Sequence, residues 1–198
     1  MKRTLGWMVM LGMLAPAAVA GQTTWDAPSF LRPGSPRGLT VALTNNDPGG
    51  HVGVLALWRN EPAPIGVGFR GGLVDAPGDQ VVGLLGLDVS GNLPPLSGPG
   101  NPRAMWWTGA GLGLGDQVSA SFPLGLVFGW TATDEDFAFM PYVGAHAVLT
   151  AISGPGDNLD LDGVVDLGID LRFAPAWTVR FSGSFGGRET LGLGLAIH

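Results

Sequence analysis

The sequence predicts an all-β protein: a closed, up-and-down antiparallel transmembrane β-barrel of ten strands, with eight as the alternative, behind a cleaved signal peptide. Three observations lead there. From Val118 to Ala132 every even position is apolar: Val118, Ala120, Phe122, Leu124, Leu126, Phe128, Trp130, Ala132. The odd positions are mostly Ser, Gly and Thr. Side chains alternate across a strand, so this reads as one long strand with an apolar and a polar face. Similar segments then recur along the chain, separated by hairpin-length turns, and an even number of them closes without unpaired edges. Finally, the tryptophans gather at alternate turns.

Residues 1–20 have the form of a signal peptide. Lys2 and Arg3 precede an apolar run from Leu5 to Leu14, and Ala18-Val19-Ala20 is a small-residue cleavage site before Gly21. Removing them leaves eight basic residues, all Arg, against 16 acidic ones. A net acidic chain with no basic cluster is a poor nucleic-acid binder, so no nucleic-acid partner is expected. Zero Cys excludes disulfides and thiolate chemistry. No later stretch approaches the roughly 18 apolar residues of a spanning helix. Charged residues make up only 13% of the chain while Gly numbers 34, which suits a membrane barrel better than a soluble domain.

Residues 21–37, with Pro28, Pro33 and Pro36, read as an irregular periplasmic leader. Residues 38–198 carry the barrel. Its first strand, 38–44, puts Leu39, Val41 and Leu43 on one face, and NNDPGG (45–50) turns the chain. The second, 51–59, is apolar on both faces, so its register is not readable. The third, 65–74, sets Ile65, Val67, Phe69 and Leu73 against Gly66, Gly68, Arg70 and Gly72. The fourth sets Val81, Leu85, Leu87 and Val89 against Gly86, Asp88, Ser90 and Asn92. A longer Pro-rich connection leads to the fifth, where Trp106, Thr108, Ala110, Leu112 and Leu114 oppose four glycines. The sixth is 118–132. The seventh carries Phe137, Phe139, Val143, Ala145, Ala147 and Leu149 opposite Tyr142, Gly144, His146 and Thr150. The eighth carries seven apolar residues from Leu159 to Phe173 opposite Asp160, Asp162, Asp166, Gly168, Asp170 and Arg172. The ninth sets Trp177, Val179, Phe181 and Phe185 against Thr178, Arg180, Ser182 and Ser184. The tenth ends the chain with Leu191, Leu193, Leu195 and Ile197.

The apolar faces are expected to point outward. Three of the polar faces are mostly Gly, which cannot solvate an exterior, and the apolar set turned inward would overfill a small lumen. Numbered from the start, the even hairpins hold Trp58, Trp106, Trp107, Trp130, Phe137, Phe139, Phe173 and Trp177, and the odd ones hold no Trp. Such residues favour a membrane–water interface, so this set is expected to form an aromatic girdle at one rim.

This pattern resembles the small bacterial outer-membrane β-barrel family, the OmpA-like and OmpX-like barrels, over residues 38–198. The C-terminal strand resembles the family's assembly signal, although the last residue is His198 rather than an aromatic one. The resemblance implies a location in the bacterial outer membrane, with membrane lipid and the outer-membrane assembly machinery as partners. It does not imply a function.

An inward charge network of Arg70, Asp88, Asp166, Asp170, Arg172 and Arg180 is expected, with Tyr142 and His146 as further polar lumen residues. Charges within a membrane span are costly unless paired or hydrated, so each should find a partner. The network reads first as a structural plug for a largely occluded lumen in a monomeric barrel with a structural or interaction role. The alternative is a narrow, porin-like passive pore for ions or small solutes. A lipid-modifying barrel enzyme would need His146 or His51 beside a nucleophile, and no such local motif accompanies either, so no catalytic residue and no enzyme activity is assigned. A secreted soluble barrel holding an apolar ligand would need the apolar face inward. Asp157 to Gly163 faintly resembles a Ca²⁺ loop, but the position for the distal Glu ligand is Gly168 and two of its Asp lie on a strand, so neither metal nor cofactor is expected.

Overall fold

The computed structural model describes residues 25–35, 37–46, 51–60, 65–76, 80–98, 102–133, 137–153 and 158–198. The expected signal peptide lies outside them. Among the described residues eleven strands follow one another: β1 Gly38–Asn46, β2 His51–Arg59, β3 Ile65–Ala76, β4 Gln80–Asn92, β5 Arg103–Leu114, β6 Val118–Gly129, β7 Ala132–Thr133, β8 Ala138–Ser153, β9 Asn158–Ala174, β10 Trp177–Gly186 and β11 Thr190–Ile197. No helix is present among the described residues.

Apart from β6 and β7, each strand pairs antiparallel with the next in sequence. β1 also pairs with β11, from Leu39 opposite Ile197 to Asn46 opposite Thr190, and β6 pairs with β8, so the sheet closes into a ring. Ten strands make the wall. β7 is a two-residue spur on β8, with Ala132 opposite Phe139. The expected sixth strand was continuous to Ala132, whereas β6 stops at Gly129. The cause is on the partner strand. The next position opposite would be Pro141, which has no N–H to donate, and only the Trp130 N–H reaching the Pro141 carbonyl (3.3 Å) links the two there.

The apolar faces point outward. Leu43, Leu73, Leu85, Leu124, Leu161 and Leu193, among many others on all ten wall strands, are exposed. The exposed charged residues on the strands, Asp75, Arg103 and Arg172, stand near strand ends. A ten-residue strand at about 3.3 Å per residue and a tilt of about 40° rises about 25 Å. The wall therefore carries an apolar belt of about that height.

One end of the ring, called here the tryptophan end, gathers the start of β1, the end of β11 and the connections between β2 and β3, β4 and β5, β6 and β8, and β9 and β10. Trp58, Trp130, Phe137, Phe139, Phe173 and Trp177 are exposed there, and Trp106 is half-buried. Trp58 and Phe69 pack with ring centroids 5.7 Å apart. Trp107, expected in the girdle, is instead fully buried on the lumen side. Adjacent residues of a strand point to opposite faces, so Trp106 and Trp107 cannot both face out.

The largest departure concerns the leader. Residues 25–35 are irregular, as expected, but they do not lie outside the barrel. They thread the lumen, and every one except the half-buried Gly34 is buried. Residues 21–24 and 36 lie outside the described residues.

Candidate functional site

The wall has seats for this segment. A Cβ on Gly86 or Gly111 would collide with the Trp25 indole, and one on Gly109 would lie 2.6 Å from it. Gly192 likewise leaves room for Pro28 and Phe30. Trp25 and Phe30 join Ala42, Leu55, Leu57, Val74 and Leu84 in one buried apolar cluster. Leu31 joins Met105, Trp107, Val127 and Tyr142 in a second. This explains the unreadable second strand. Leu55 and Leu57 face inward because the plug offers them apolar partners, while Val54 and Trp58 face out.

Two wall arginines grip the plug by its carbonyl oxygens. Arg70 donates from Nη2 to the Ser29 carbonyl (2.5 Å) and from Nη1 to that of Pro28 (3.4 Å), with its guanidinium 5.6 Å from the Trp25 ring centre. Arg180 donates from Nη2 to the Phe30 carbonyl and lies 5.7 Å from the Phe30 ring centre. Phe30 itself has φ 50°, a left-handed conformation that is unusual for a bulky residue and is held here by packing and by that clamp. The segment ends in a tight turn, in which the Ser35 hydroxyl and amide both donate to the Arg32 carbonyl at 2.8 and 3.0 Å.

The charges fall into two groups. Toward the tryptophan end, Asp170 accepts from Arg180 Nε (3.0 Å) and from the plug's Arg32 Nε (2.6 Å). Arg180 stands directly opposite Asp170 in the β9–β10 register, so the ladder itself makes that pair. Asp88 meets Arg59 and, at 3.4 Å, Arg70. Arg59 and Asp88 both pair with Gly68 in their ladders, and because that position lacks a side chain they reach each other across β3. Toward the other end, the plug's Asp26 lies among Ser121 (3.3 Å), Arg188 Nε (3.8 Å) and His146 Nε2 (3.9 Å). His146 Nδ1 is 3.2 Å from Asp166, which accepts from Ser184 (2.5 Å). Arg188 also reaches Asp162 (2.9 Å) and Thr150 (2.6 Å).

Of the expected network, Arg70, Asp88, Asp166, Asp170 and Arg180 are buried together in the lumen, as are Tyr142 and His146. Arg172 is exposed and takes no part: it sits at the rim beside the irregularity at Trp177 and Thr178, where a long side chain reaches solvent. Asp26, Arg32, Arg59 and Arg188 were not anticipated, and Asp162 was expected on the polar face of its strand but not in the network. Arg59 was hidden by the ambiguous second strand and Arg188 by its place beside a Gly-Gly turn. Asp26 and Arg32 lay in a segment without periodicity.

Chemically, the lumen is occupied and cross-braced. The Ser184 hydroxyl donates to Asp166 rather than to His146, whose ring instead meets Trp107 edge-on at 5.0 Å. His51 opens β2 opposite Asn46. Among the described residues no group of three or more His, Asp or Glu is arranged to hold a metal ion. His198, beyond β11, meets the Thr178 hydroxyl at 2.8 Å, and partial burial holds its imidazole below the usual histidine range.

These features define a closed ten-stranded antiparallel barrel with an apolar exterior and a plugged, charge-braced lumen. No family model matches the chain, and no curated protein matches it in sequence.

Proposed function

We propose that this chain is an exported bacterial outer-membrane protein: a monomeric barrel whose apolar belt lies in lipid, whose lumen is occluded, and whose role is structural or interaction-bearing. The observation that carries this reading is the exterior. An apolar belt runs round the whole wall with exposed charges only near strand ends, far more apolar surface than the few hundred Å² that soluble monomers expose in one patch. A lipid-facing wall accounts for it, and the tryptophan end then matches a membrane interface. On this reading residues 1–20 direct export and are removed. The alternation of Leu191, Leu193, Leu195 and Ile197 serves recognition by the outer-membrane assembly machinery, in keeping with the resemblance to small outer-membrane barrels.

The test is fractionation of cells producing the full chain, followed by flotation of the membranes on a density gradient. The protein is expected in the outer-membrane band, resistant to carbonate and high-salt extraction, with an N-terminus at Gly21. Recovery in the soluble periplasmic fraction would overturn the proposal.

A further inference from the structure

We infer that residues 25–35 form a displaceable plug, and that the wall behind it encloses a latent passage for small ions. This rests on the membrane-barrel reading and goes beyond it.

The first ground is that the ring is complete without the plug. The β1–β11 and β6–β8 ladders close the sheet, and no backbone–backbone hydrogen bond joins residues 25–35 to a strand among the described residues. Among the described residues the segment is held to the wall through side chains.

The second ground is electrostatic. The plug contributes two charges, Asp26 and Arg32, of opposite sign. Among the described residues, each buried charged wall residue paired with the plug also has a partner on the wall: Arg70 has Asp88, Arg180 and Asp170 have each other, Arg188 has Asp162, and His146 has Asp166. Withdrawing the plug therefore strands no buried wall charge. A buried charge left without a partner is what normally locks such a segment in place. Two arrangements that each satisfy the wall make a bistable element.

The third ground is the shape of the space. The seats at Gly86, Gly109, Gly111 and Gly192 would be unfilled once Trp25, Pro28 and Phe30 leave. The vacated lumen would be lined in part by apolar Leu55, Leu57, Val74 and Leu84, and in part by Thr40, Ser90, Ser121 and the paired charges, which supply the polar groups that hold water. Four inward arginines (Arg59, Arg70, Arg180, Arg188) face four inward aspartates (Asp88, Asp162, Asp166, Asp170), so the path suits small ions of either sign with weak selectivity.

The experiment is single-channel recording of the full mature chain in a planar bilayer with KCl. Asp26→Asn/Arg32→Gln removes both plug charges and leaves each wall pair intact. It is expected to raise the open probability at least tenfold over the natural chain. Asp26→Cys/Ser121→Cys joins plug to wall at the 3.3 Å contact in a chain that has no other Cys. Oxidised, it is expected to be silent, and a reductant is expected to restore openings. Two results would overturn the inference. One is an Asp26→Asn/Arg32→Gln barrel that inserts, keeps its heat-resistant folded form on gels and is as silent as the natural chain. The other is a cross-linked barrel that opens as often as its reduced form. If the charge variant does not fold, the cross-linked pair decides alone. A natural chain that never inserts would count against the membrane reading itself, and the two failures are thus separable.

Discussion

The wall and the plug are built from the same chain by opposite rules. In the wall the backbone satisfies itself strand by strand, and side chains need only alternate: apolar outward, small or polar inward. In the plug no ladder exists. Its carbonyls at Pro28, Ser29 and Phe30 are taken up by Arg70 and Arg180, and its apolar residues need cavities left by wall glycines. The wall is therefore tolerant at any one position and demanding in its pattern. The plug is demanding at particular residues and has no pattern.

That contrast can be broken or sharpened by substitution. The largest effect is expected from Asp170→Ala, which leaves the buried Arg32 and Arg180 without their shared carboxylate. The loss should be about 3–5 kcal/mol, read as a lowered urea midpoint of the folded barrel in lipid vesicles. Trp25→Ala comes next. It empties the seat at Gly86, Gly109 and Gly111, and should cost about 3–4 kcal/mol by the same titration, as large side chains deleted from cores do. An unchanged midpoint would mean that the plug adds nothing to the wall's stability. Leu124→Arg, on the outward face at mid-wall, should cost about 2–4 kcal/mol in lipid. A soluble barrel would tolerate it, so this variant separates the two settings of the wall. The smallest effect is expected from Arg172→Ala. Circular dichroism melting and the urea midpoint should both be unaltered, because the side chain stands at the rim and touches none of the buried pairs.

The same contrast governs what could be read from the sequence. Period-two alternation states a strand and its faces together, and it gave ten strands with ends close to those observed. Phase put Arg70, Asp88, Asp166, Asp170 and Arg180 on the polar faces, and the glycine content of those faces turned them inward. Their pairings did not follow, because a pair such as Arg180–Asp170 depends on register between strands, and Arg59–Asp88 depends on a gap at Gly68 in a third strand. Trp107 was misplaced by treating two adjacent tryptophans as a unit against the alternation of their own strand. Arg172 has the inward phase, but at a rim phase no longer decides where a long side chain goes. The plug was illegible for a different reason. Trp25, Asp26, Phe30 and Arg32 acquire their meaning only from a cavity assembled out of distant residues, and prolines among them give an irregular backbone with no period to detect. Leu55 and Leu57 were a trace of it in the strands: an apolar inward face on β2 that has the plug to pack against.

The β1–β11 seam has a consequence in time. Leu39 pairs with Ile197, so this ladder joins the first strand made to the last. Loop-closure entropy must be overcome across nearly the whole chain before that ladder gives anything back, and topologies of this kind fold slowly. Residues 25–35 are synthesised before any strand, yet their binding site is complete only after the final one. Through all of that interval Trp25 and Phe30 have no cavity and the open edges of β1 and β11 have no partner. The newborn chain is then at its most prone to aggregate.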